Sequence, residues 1–121
     1  MQDRPTTTEL ADAVRGFLES EVLPALQDPR LRFRALVAVN ALGILRRDLE
    51  MGAQLAAQEV ELLESLLGMD TAGTLEERVQ ALNAELSKRI RQGEPPSGTL
   101  EVLRRIADLK LKISSPRFLT R

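Results

Sequence analysis

The chain contains no cysteine and no histidine. The first absence excludes disulfides, thiolate metal sites and a thiol nucleophile, and it suits a reducing compartment. The second removes the usual general base, the commonest metal ligand and the side chain that titrates near neutral pH. Tryptophan and tyrosine are also missing, and there are three phenylalanines, so the aromatic platforms on which single-stranded nucleic acid stacks are lacking. Glycines occur singly, without the clustering of a phosphate-cradling loop. The longest uncharged apolar run, ALVAVNALGIL at residues 35–45, is about half the roughly twenty residues that a membrane-spanning helix needs. The N-terminal MQDRPTTTEL has neither a positive nor an apolar segment of the secretory kind. A cytoplasmic protein without a membrane partner is expected.

What is present is helical periodicity. Apolar residues recur at helical spacing along most of the 121 residues, and no stretch shows sustained alternation between turn signals. The expectation is an all-α single domain over 1–121, an antiparallel bundle of four to five helices with a buried central helix. A first helix over about 7–22 starts at a capping-box pair, Thr6 and Glu9, and turns Leu10, Val14, Phe17, Leu18 and Val22 inward. A second over about 30–51 contains the apolar run and is apolar on every side, as a buried helix is. Gly52 is expected to end or bend it. A third runs over about 53–67, stopping at Gly68. The fourth lies between Thr74, paired with Glu77 as a second capping box, and Gly93. GEPPSG is a loop, a last helix covers about 99–113, and Pro116 biases Ser115 away from helical geometry.

The formal net charge is −1, but the charges form blocks. Residues 1–29 hold six acids and two bases, 30–47 five arginines and no acid, 48–77 eight acids and no base, and 78–121 ten bases and four acids. Either oppositely charged helices neutralise one another, or a basic surface meets an acidic or phosphorylated partner. Without an uncompensated basic stripe or aromatic platforms, nucleic acid is not an expected partner.

Glu61 and Glu64 share a helix face, but the di-iron bundle pattern couples such glutamates to histidines that this chain does not have. They are read as a solvated acidic face. No metal ligand set, cofactor motif or activated nucleophile is found, which points away from a catalyst. Three polar residues stand out of place: Asn40 in the apolar run, Glu59 among Leu55, Leu62, Leu63 and Leu66, and Lys110 between the apolar stripes of the last helix. If buried, such groups must be hydrogen-bonded or paired. They are then either structural, Asn40 anchoring an irregular segment such as SSPRFL, or the members of a small polar pocket.

The segments QDRPTTTEL, EVLPAL, RFRALVAVNALGIL and KLKISSPRFL together resemble a family of uncharacterised bacterial proteins. These are small and helical, are classed as a domain of unknown function, and are often encoded beside acyl-CoA dehydrogenase-like and aminoglycoside phosphotransferase-like proteins. The resemblance places the family's central Asn at Asn40. It places the terminal pattern at Lys110, Leu111, Ile113, Pro116, Arg117 and Phe118. Where relatives carry a His after the central Phe and an Arg two residues later, this chain has Arg34 and Leu36, which favours a binding or structural role. The resemblance implies a non-enzymatic accessory protein for one of those partners, with self-association an option. The alternative is a binding protein or minor enzyme for a phosphorylated or CoA-linked small molecule, contacted by Lys110, Arg117 and Arg34.

Overall fold

The structure, a computed structural model describing residues 3–120, is all-α, with no strand among the described residues. Helix α1 (Thr7–Phe17) opens on the expected capping box: the Thr6 hydroxyl accepts from the Glu9 amide, and Glu9 accepts in return from the Thr6 amide, both at 3.1 Å. The backbone continues through a π-helical turn, Leu18–Val22, into the short α2, Leu23–Ala25. Pro24 lies in α2 and crowds the carbonyl four residues before it. The wider turn, closed by the Leu23 amide donating to Leu18 O, gives that carbonyl room. Arg32 donates to the carbonyls of Leu23 (2.8 Å), which also accepts from the Leu26 amide, and of Leu26 (3.3 Å), tying off the end of α2.

Helix α3 runs without interruption over Pro29–Leu67, 39 residues. Its start follows from Pro29 at the first position and the Asp28 carboxylate accepting from the Arg30 amide at 3.0 Å. Gly52, expected to end or bend the helix, does not end it. A helical glycine costs only about 1 kcal/mol relative to alanine, less than packing on both sides of it supplies. The end at Gly68 is as expected: φ is +64°, and the amides of Gly68 and Met69 both reach Glu64 O. Helix α4 (Leu75–Arg91) repeats the capping box, with Thr74 and Glu77 exchanging bonds of 3.1 Å, and ends at Gly93, φ +77°. Helix α5 (Thr99–Ser114) follows the GEPPSG loop, and Ser115 leaves helical geometry before the 3-10 turn Pro116–Thr120.

Two compact units are distinguished, one up to Met51 and one from Gly52 onward. In the first, α1, α2 and the leading part of α3 cover one another along one side. Ala11, Val39 and Gly43 are buried there. A Cβ at Gly43 would lie 3.5–3.8 Å from Arg47 and the Arg15 guanidinium. Asp12 and Arg46 join acidic and basic blocks at 2.7 Å.

Most of the apolar side chains expected inside this unit are outside. Leu10, Val14 and Phe17 of α1 are exposed, and so are Phe33, Leu36, Val37, Ile44 and Leu45 of α3, while Leu42 is only half-buried. A helix can cover one side of its neighbour and no more, so an all-apolar helix flanked in its unit by one helical arm stays bare elsewhere.

The second unit holds the core. Val60, Leu63 and Leu67 of α3 meet Leu82 and Leu86 of α4 and Ile106 of α5, with Leu62, Leu66, Met69, Leu75, Val79 and Val102 around them. Leu63 and Leu82 are 0% exposed. The buried central helix is therefore the trailing part of α3, where two neighbours cover it.

Candidate functional site

The helix spacing that buries Leu55 and Leu63 also buries Glu59 in the second unit. Its carboxylate accepts a hydrogen bond from Asn83 Nδ2 at 3.1 Å, and the same amide group donates to Val79 O at 2.9 Å. Asn83 is thus held on α4 by its own helix and presented to α3. Glu59 also lines a small hollow of about 120 Å³, together with Gly52, Leu55, Leu109, Lys110 and Ile113. Lys110 is the one base among the lining residues, and its residue as a whole is exposed. Of the candidate polar residues Asn40, Glu59, Lys110 and Arg117, Glu59 and Lys110 therefore line the same hollow.

The other two do not line that hollow. Asn40 belongs to the first unit, is exposed, and makes no side-chain hydrogen bond among the described residues. The expectation of a buried amide anchoring an irregular segment is not met, because α1 covers the Val39 and Gly43 side of the helix and leaves position 40 to solvent. Arg117 is exposed in the 3-10 turn, where its guanidinium stands 5.2 Å from the centre of the Phe118 ring.

A larger groove, about 720 Å³, lies between α3 and α5 of the second unit. Leu62, Leu109 and Leu119 supply apolar surface, and Glu61, Arg105, Asp108 and Lys112 supply charge of both signs. The spacing of Arg105, Asp108, Leu109 and Lys112 along α5 was readable as one helix face. Its partner across the groove was not, since that depends on how α5 packs. Such a lining can hold a ligand by apolar contact and ion pairing. No group of three or more candidate metal ligands occurs among the described residues.

Glu64, expected on a solvated face, is instead partly buried and bonded. Its carboxylate accepts from the Thr71 amide (2.7 Å), the Thr71 hydroxyl (2.8 Å) and Arg78 (3.2 Å), and Arg78 also donates to the Thr71 hydroxyl (3.1 Å). The Thr71 hydroxyl, then its amide and then Arg78 hold the Glu64 carboxyl below its ordinary pKa. This cluster clamps the loop between α3 and α4 and joins the second acidic block to the last basic one.

No helix among the described residues is long and apolar enough to cross a membrane. Residues 24–118 match the family described as "Domain of unknown function (DUF6285)". No curated protein and no solved structure matches the chain.

Proposed function

The chain belongs to the DUF6285 family of domains of unknown function, and on that premise we propose that it is a non-catalytic helical module that works in the cytoplasm by binding another protein. The observation that carries this reading is the bare apolar surface of the first unit, where Phe33 is 68% and Phe17 54% exposed and Leu10, Val14, Leu36, Val37 and Ile44 are exposed as well. Contiguous apolar surface beyond a few hundred Å² marks an interaction site. The partner follows from the genes that accompany the bacterial family the sequence resembles: a phosphotransferase-like or an acyl-CoA dehydrogenase-like protein, and not nucleic acid.

Co-expression with each partner class and size-exclusion chromatography test the proposal. A stable complex that is lost on Phe17→Asp is expected. Separate elution of both proteins at micromolar concentration would refute it.

A second reading rests on the groove between α3 and α5, whose Arg105 and Lys112 beside apolar side chains suit a phosphorylated or CoA-linked small molecule. Of the cations expected in that role, Arg34 lies in the first unit, Lys110 lines the Glu59 hollow and Arg117 stacks on Phe118. Arg105 and Lys112 take their place. Saturable binding of coenzyme A, lost on Arg105→Glu, is the expected signature.

A further inference from the structure

On α3, Phe33, Val37, Asn40 and Ile44 are all exposed, and their spacing of four, three and four residues makes one straight seam of the kind that pairs helices. The seam is turned away from the Val39 and Gly43 side that α1 covers. Three apolar side chains thus frame one unpartnered amide near the middle. Along one flank of the seam lie Arg30 and Arg34 on the N-terminal side of Asn40 and Asp48 on the C-terminal side. All three are exposed, and none forms an ion pair among the described residues.

We propose that the Phe33–Ile44 seam of α3 pairs with the same seam of a second copy of this chain, antiparallel, about a two-fold axis at Asn40. The proposal rests on the reading of the first unit as an interaction module and deepens it by naming one occupant.

Three features of the seam select a second copy. A seam with an amide at its centre is self-complementary under a two-fold, because each Asn40 amide nitrogen donates to the carbonyl oxygen of the other, closing two hydrogen bonds. Antiparallel pairing about position 40 sets residue 48 of one copy opposite residue 32 of the other. Asp48 of each copy then falls between Arg30 and Arg34 of its mate. In antiparallel helices the matching flanks lie on the same side, so both sets of charges meet with opposite sign. A polar residue in an otherwise apolar seam also penalises every register that leaves it unpaired, which sets the alignment. The α1 side chains Leu10, Val14 and Phe17 are not used and stay open to a protein partner.

A single helix pair lies at the low end of specific interfaces, about 1,200 Å² in total, so the dimer is expected to dissociate in the micromolar range. Sedimentation equilibrium of the full chain from about 1 to 500 µM, with circular dichroism to verify folding, is the first measurement. A reversible monomer–dimer equilibrium is expected, and Val37→Asp should abolish it.

The decisive measurement uses two variants, Asp48→Arg and the double variant Arg30→Asp/Arg34→Asp. Each alone brings like charges together and should weaken association at least tenfold. Mixed one to one, they restore opposite charges at both ends and should form a heterodimer as tight as the wild-type dimer. A wild-type chain that remains monomeric at 500 µM, or a mixture that associates no better than its components, overturns the pairing. If the monomeric chain still co-elutes with a phosphotransferase-like or dehydrogenase-like protein, the interaction reading stands without it. If neither association occurs, both fall.

Discussion

The leading and trailing parts of α3 lie on one unbroken helix and are both rich in aliphatic side chains, yet their fates differ. From Leu55 to Leu67 the apolar positions recur on one side, with Glu61, Glu64 and Ser65 off it, and two neighbouring helices close over that side. From Leu31 to Leu49 apolar residues point in every direction, and in the first unit only one side is covered. Amphipathic periodicity describes a helix that completes its packing within its unit, whereas all-round apolarity describes one that needs further neighbours. In the first unit those apolar positions stay exposed.

Four experiments would break or sharpen this contrast. The largest effect belongs to the core: Leu63→Ala should cost about 2–5 kcal/mol in denaturant unfolding, while Phe33→Ala, measured on the monomer at low concentration, should change stability by no more than about 0.5 kcal/mol. Equal losses would mean that the two parts of α3 are buried alike. Next, Asn83→Ala removes the hydrogen bond to the buried Glu59 carboxylate and should destabilise by about 1–3 kcal/mol. A smaller loss for Asn83→Ala in the background of Glu59→Leu would identify the pair as its origin.

The third concerns acid. Because the folded-state pKa of Glu64 is lowered by Thr71 and Arg78, the stability it contributes is fully present above the ordinary glutamate value of about 4.3 and is lost as pH falls through the lower folded value. Glu64→Gln should therefore flatten the acid limb of a stability–pH profile, and an unchanged limb would contradict the clamp. The smallest effect is expected at Gly43→Ala. The added methyl meets Arg15 and Arg47 at ordinary contact distance, and the gain in helix propensity is at most about 1 kcal/mol. A loss greater than that in thermal unfolding would show that α1 lies closer to α3 than these distances allow.

Legibility in the sequence followed the range of the interactions involved. Both capping boxes, the glycine ends at Gly68 and Gly93 and the departure at Ser115 were readable because each depends on residues within about five positions of one another. The uninterrupted passage through Gly52 was not, since a weak local penalty was outweighed by packing. Glu59 was recognisable as buried because leucines flank it at helical spacing. Asn83, its partner, carried no such signal, being 24 residues distant. The anchoring of Glu64 carried no signal for the same reason, as Thr71 lies 7 and Arg78 14 residues away.

By itself, the sequence determined the helical class, most of the helix ends and the chemistry that is out of reach, because propensity, capping and side-chain inventory are properties of neighbouring residues. Only the tertiary structure decided which apolar face is covered. It paired Glu59 with Asn83, put Lys110 beside the Glu59 hollow, and left Asn40 facing solvent. Burial depends on how many neighbours a helix acquires, and that number is written nowhere in its own periodicity.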